Sequence, residues 1–101
     1  MAAYVLASIK VTDAERYPEY ARQTPAVVEK YGGRFLVKGG AYEEIEGSWP
    51  GRRLVVIEFS DVQAAKRWYA SPEYQQLIPL RQAYAETDLV IAEGSADSIQ
   101  R

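Results

Sequence analysis

Between residues 4 and 11 apolar positions alternate: Val5, Ala7, Ile9 and Val11 fall on one side, Tyr4, Leu6, Ser8 and Lys10 on the other. A period of two is that of a half-buried strand, and the odd-numbered set is expected to face helices. The period then changes. Tyr17, Tyr20, Ala21, Thr24, Val28 and Tyr31 recur at helical spacing and make one face of a helix over 14–31, which Pro18 and Pro25 must disturb. Thr12 with Glu15 has capping-box spacing, Asp13 is a second N-cap candidate, and Gly32-Gly33 supplies the left-handed residue that closes the helix.

A second strand is predicted over 34–46, interrupted at Gly39-Gly40 by a bulge or by the close approach of another group. Residues 47–51 read as the hairpin connection. The segment RRLVVIEF, 52–59, is the strongest strand signal; its near-continuous apolar run predicts a central strand covered on both faces except at Glu58. Ser60 with Gln63 has the spacing to cap a short helix in which Val62, Ala65 and Tyr69 share a side and Trp68 lies beside it. Ser71-Pro72 reads as an N-cap followed by proline at the first helical position. The helix it opens runs to about residue 85 and carries the stripe Tyr74, Leu77, Ile78, Arg81 and Tyr84, with Arg81 the polar intruder. A last strand is predicted over 88–94, so residues 1–94 read as one domain and 95–101 as a tail without packing signal.

The resulting order, βαββαβ with the second crossover broken into two helices, is the ferredoxin-like α+β pattern with a four-stranded antiparallel sheet. Helices on one side leave the other sheet face bare, and alternation assigns to it Tyr4, Leu6, Leu36, Leu54, Val56, Leu89 and Ile91. A face that apolar calls for cover, and a second copy packed sheet to sheet would supply it.

Composition narrows the chemistry. The chain has 101 residues, 12 Lys and Arg against 14 Asp and Glu, and its basic residues are scattered, so it has no electrostatic footprint for nucleic acid or an anionic membrane. An RNA-binding reading of RRLVVIEF fails because Arg53 and Val56 stand where glycine and a stacking ring are needed. Residues 1–11 are apolar for too short a stretch to span a membrane and read as a strand, which makes the cytoplasm the default address. Cysteine and histidine are both absent, which removes thiolate chemistry, the usual zinc ligands, a proximal haem histidine and histidine-based triads. Neither a metal nor a cofactor is expected.

Acid-base work then falls to carboxylate, tyrosine, lysine or arginine groups. Glu58 interrupts an apolar strand, and a buried carboxylate must pair or stay protonated. It is expected either as a structural ion pair with Arg34, Arg53 or Arg81, or as a member of a ligand site, where it is the preferred general base. Arg81 reaches a carboxylate inside the fold, orients an anionic ligand, or snorkels to water. Eight tyrosines are many for this length; they line a small pocket or bridge core and solvent.

Several phrases occur in order across the chain: Asp13 with Tyr17 and Tyr20, GGRFLVKGG at 32–40, Glu46-Gly47 with Trp49, RRLVVIEF at 52–59, and WYASPEYQQL at 68–77 followed by Arg81. Together they resemble the DUF1330 family, whose members are similar to dimeric α+β-barrel proteins. That resemblance implies a homodimer with two sheets closed against each other. It highlights Asp13, Tyr17, Tyr20, Arg34, Glu58, Trp68, Tyr69, Tyr74 and Arg81, besides Gly39 and Gly40, as candidate positions. The wider superfamily holds cofactor-independent monooxygenases, lactone isomerases and haem enzymes, so the resemblance implies a pocket for a small organic ligand without choosing a reaction. Three readings stay open: a small-molecule binder or cofactor-independent enzyme with Glu58 and Arg81 as catalytic candidates, a nonenzymatic dimeric module, and a site filled by its own aromatic side chains.

Overall fold

A computed structural model describes residues 1–49 and 52–95. The chain runs β1 (Ala3–Val11), α1 (Tyr17–Ala21), α2 (Thr24–Lys30), β2 (Arg34–Lys38), β3 (Arg53–Phe59), α3 (Val62–Ala70), α4 (Pro72–Tyr84) and β4 (Ala85–Glu93). Its strands form one antiparallel sheet in the order β2-β3-β1-β4, which is the ferredoxin-like topology. The helices lie on one face of this sheet, and the core is what they and that face enclose.

Alternation works as expected in β1, where Ala3, Val5, Ala7 and Ile9 are buried toward the helices; Val11, past the end of the core, is exposed. The register settles the other strands, because paired residues share a face. Val55 and Ile57 pair with Ala7 and Val5, and so do Leu89 and Ile91. Leu89 and Ile91 therefore face the helices, not the open side to which the alternation assigned them. β4 begins at Ala85 rather than residue 88, and the open side receives Val90 instead.

The open face carries Tyr4, Leu6, Ser8, Leu54, Val56, Glu58 and Val90, with Leu6 37% and Val90 58% exposed. β3 is central, as predicted, but among the described residues no helix covers that second face, and only the 42–49 loop borders it, at Leu54. In β2 the register slips between Phe35 and Val37, so the bulge sits at Leu36 and not at the glycines. The slip leaves Phe35 and Lys38 both paired to helix-facing residues, Ile57 and Val55.

Lys38 also ends the strand, which was expected to continue to residue 46. Gly39 takes φ +75° and donates its N–H to the Leu54 carbonyl at 2.9 Å, turning the chain away. Of the predicted hairpin connection, residues 50 and 51 lie outside the described residues, as do 96–101 of the tail.

The single helix predicted over 14–31 is two short ones that begin at Tyr17 and break before Thr24; each has proline in its first turn, where the missing N–H is harmless. The N-cap of α1 is Arg16, which has no side-chain cap; Asp13 holds the turn before it, its carboxylate accepting from the Arg16 N–H at 3.2 Å, so neither Asp13 nor the Thr12–Glu15 box caps the helix. For α3 the cap is Asp61, which accepts from Ala64 N–H at 2.8 Å, in place of Ser60. Ser71 caps α4 through Tyr74 N–H at 3.1 Å, an interaction of about 1 kcal/mol. α4 tolerates Pro79 in its interior because Tyr74, Leu77, Ile78 and Arg81 are buried along the predicted stripe. Trp68 is 2% exposed and central to α3, stacked against Tyr74 with ring centroids 4.3 Å apart.

Candidate functional site

β1, β3 and β4 supply a floor of Val5, Ala7, Val55, Ile57 and Leu89, and the helices a roof of Tyr17, Tyr20, Val28, Trp68, Tyr74 and Arg81. Between them is a cavity with about 40 Å³ of room. On the far side of Arg81 an open cleft at the β4 edge is lined by Tyr69, Arg81, Thr87, Leu89 and Ile91. Arg81, Thr87 and Leu89 line both spaces, so cavity and cleft adjoin between α4 and β4.

A polar chain crosses the roof. Arg81 Nη1 donates to the Tyr74 hydroxyl at 2.8 Å, and the Tyr74 and Tyr20 hydroxyls share a hydrogen bond of 2.6 Å. Two phenols bring two protons and only one lies between them, because arginine brings its own; one phenolic O–H is left over at the cavity wall. Burial raises the Tyr17, Tyr20 and Tyr74 hydroxyls above their ordinary value of 10.0, although Arg53 opposes it at Tyr17 and Tyr20 and Arg81 oppose it at Tyr74. At neutral pH these tyrosines are donors and not bases. Arg81 stays charged: burial works against the cation, and the Tyr74 and Tyr20 oxygens reverse that, leaving its pKa raised.

Two arginines meet this cavity. Arg81 is 7% exposed. Arg53, on the helix-facing side of β3, holds its guanidinium 5.7 Å from the Tyr17 ring centroid and donates weakly to the Lys38 carbonyl at 3.4 Å. It can lie there because residue 39 is glycine: a Cβ at Gly39 would stand 2.1 Å from Arg53 Nη1. The close approach expected at the glycine pair is thus real, and Arg53 makes it.

Arg53 Nε, Arg81 Nε, Trp68 Nε1 and Thr87 Oγ1 are buried polar atoms without a partner, and all four residues line the cavity. Lys38 lines it too, and no carboxylate does among the described residues. Buried polar groups are ordinarily satisfied, and buried charges ordinarily paired. A cluster of donors with neither acceptor nor counter-ion has the chemistry of a receptor for an oxygen-bearing anion or a developing oxyanion.

Of the residues expected at the site, Tyr17, Tyr20, Trp68, Tyr74 and Arg81 come together here, and Tyr69 borders the cleft with its ring 5.7 Å from Tyr74. Asp13 is spent on the turn before α1. Glu58 and Arg34 are elsewhere: they face the open side and bond to each other, Nε to Oε1, at 2.8 Å. Of the two readings of Glu58, the structure forms the ion pair, with Arg34 of the three candidate partners; with β3 even-numbered positions facing out, Glu58 does not stand beside Arg81. Arg53, Lys38 and Thr87 were missed as site residues. The parity of Arg53 with Val55 and Ile57 was available in the sequence, whereas Lys38 needed the bulge at Leu36. The described residues contain no group of three His, Cys, Asp or Glu able to hold a metal.

Fold and cavity together define a ferredoxin-like α+β protein. Within that class the chain belongs to the family described as domain of unknown function (DUF1330), which matches residues 2–95. No curated protein matches it. Among solved structures it is similar to RPA0582 of Rhodopseudomonas palustris, a protein of unknown function, at TM-score 0.74 and 20% identity over 93% of this chain and 82% of that one. It is similar to a dimeric ferredoxin-like protein of unknown function from Jannaschia sp. CCS1, with TM-score 0.70, 14% identity and coverage of 93% and 100%. SnoaB of Streptomyces nogalater, a cofactor-independent oxygenase, matches at TM-score 0.65 and 13% identity, with 93% of each chain covered. At these identities the likeness is one of fold.

Proposed function

We propose that this protein is a homodimer that binds a small organic molecule in the cavity between sheet and helices, and that any turnover there runs on its own side chains. The observation that carries the reading is the set of buried, unpartnered donors on Arg81, Arg53 and Trp68 around one cavity. Arg81 orients the ligand, with Tyr20 and Tyr74 as hydrogen-bond donors; Lys38, Arg53 and Thr87 join Tyr17, Trp68 and Tyr69 as ligand-binding candidates. Glu58, paired to Arg34 on the opposite face, has no part in this cavity. The fold shared with a cofactor-independent oxygenase supports a reaction without a cofactor by analogy only.

The dimer rests on the open sheet face, where Leu6, Val56 and Val90 lie among Tyr4 and Leu54, and on the similarity to a dimeric ferredoxin-like protein. Pairing the same patch from two copies would cover it.

Native mass spectrometry of freshly purified protein tests both parts. A two-chain species carrying a reproducible small mass, released on denaturation and lost in Arg81→Met, is expected. A monomer across a broad concentration range would defeat the sheet-to-sheet assembly. A dimer that acquires no mass even from a metabolite extract would favour the second reading, a nonenzymatic module working through its surface.

A further inference from the structure

Resting on that reading, we infer that the ligand is a small organic monocarboxylate, its carboxylate inside the cavity and its apolar body directed to the cleft at the β4 edge. Charge chooses the sign. The cavity is lined by Lys38, Arg53 and Arg81 and by no Asp or Glu among the described residues, so the buried Arg81 guanidinium and the buried Nε of the half-buried Arg53 have no counter-ion in it. An entering anion supplies it, whereas a neutral or cationic ligand leaves the deficit in place.

Donor geometry chooses the head group. Arg81 already spends Nη1 on Tyr74, and its Nε remains, as do Arg53 Nε, Trp68 Nε1 and the spare phenolic O–H of the Tyr20–Tyr74 pair. These are single N–H and O–H donors from separate walls, suited to the four lone-pair positions of a planar carboxylate.

Size favours a small, flat head group. About 40 Å³ of room, at roughly 10–15 Å³ per water, holds about three water-sized groups. A carboxylate has three heavy atoms; a phosphate has five in a tetrahedron. The rest of the molecule must leave along the surface common to cavity and cleft, past Leu89 toward Tyr69 and Ile91, which are apolar or aromatic.

The test is calorimetric titration of the full chain with butanoate and benzoate, with the isosteric amides butanamide and benzamide, and with inorganic phosphate. The expected result is carboxylate binding at least about tenfold tighter than the matching amide, with phosphate not competing. Trp68→Phe keeps an aromatic ring and loses the pyrrole ring with its N–H donor, so it should weaken carboxylate binding several-fold while near-ultraviolet circular dichroism shows the fold intact. Arg53→Gln should do the same independently.

Amide and carboxylate binding alike would overturn the anionic class and leave the small-molecule site standing. Phosphate competing equally would overturn the carboxylate assignment. Carboxylate binding unchanged in both variants, or no binding of any probe to the folded protein, would overturn the cavity as its site.

Discussion

The two faces of the sheet use the same residue types to opposite ends. On the open face Arg34 meets Glu58 at 2.8 Å with its side chain 73% exposed, a pair that water and salt both weaken. On the helix face Arg53 and Arg81 lie among aromatic rings, and among the described residues no acid lines the cavity beside them. A surface pair is cheap to make and cheap to lose, and says little about function. A buried donor without a partner, such as the Nε of each arginine, costs stability, and its retention points to something that occupies the space beside it. The contrast reverses the expectation from sequence, in which Glu58 was the conspicuous residue and Arg53 only one of its candidate partners.

The sharpest separation of the faces should come from alkali. Burial raises Tyr20 and Tyr74 above their ordinary value of 10.0, so above that pH the unfolded chain loses phenolic protons that the folded chain keeps. Stability from these groups is full below pH 10.0 and is lost as the pH rises through their raised folded values. Phenolate absorbance of the cavity tyrosines should therefore appear together with loss of near-ultraviolet circular dichroism, and Tyr20→Phe should make the alkaline fall in stability less steep by one proton. Phenolate forming in a still-folded protein would mean that the roof is open to water.

Next in size is Arg81→Met. Replacing this buried cation, whose Nε lacks a partner, by an apolar side chain of similar length should stabilise the ligand-free protein by about 1–3 kcal/mol, seen as a higher urea midpoint. A fall of that size instead would make Arg81 a structural anchor through Tyr74, and the comparison of faces would lose its point.

Gly39→Ala should cost about 1–2 kcal/mol, because an L-residue is forced into the left-handed region at φ +75°. The new Cβ also displaces Arg53, whose guanidinium occupies that space. Gly40→Ala, with no atom within 4 Å of the added Cβ, is the control and should change neither stability nor ligand binding.

Much of this was legible in the sequence, and the failures have physical causes. The βαββαβ order, the stripe Tyr74–Leu77–Ile78–Arg81 and the Ser71-Pro72 cap follow from periods and caps that are local. Leu89 and Ile91 were put on the wrong face because β4 is apolar on both sides of its alternation, and only its pairing with β1 fixes the parity. Lys38 is inverted by a one-residue bulge that no local signal marked. Glu58 misled because an acid within an apolar run looks buried; the run is apolar on its outer side too, on a face that no helix covers among the described residues, and there the acid is half-buried beside Arg34.

Glu58→Gln therefore carries the smallest expected effect and tests the assignment most directly. An exposed ion pair contributes less than about 1 kcal/mol, and the amide retains one acceptor for Arg34 Nε, so the urea midpoint should scarcely move. Carboxylate affinity at the cavity should be unchanged, because the sheet lies between the two. The variant's one visible effect should be at the dimer, where Arg34 would keep its charge and lose its counter-ion within the covered face. Sedimentation at low and high salt reads this: weaker association that salt does not restore indicates burial of the pair in the dimer, and unchanged association leaves the pair at its rim. A loss of ligand affinity in Glu58→Gln without a change in assembly would bring the acid back into the site and end the division between the two faces.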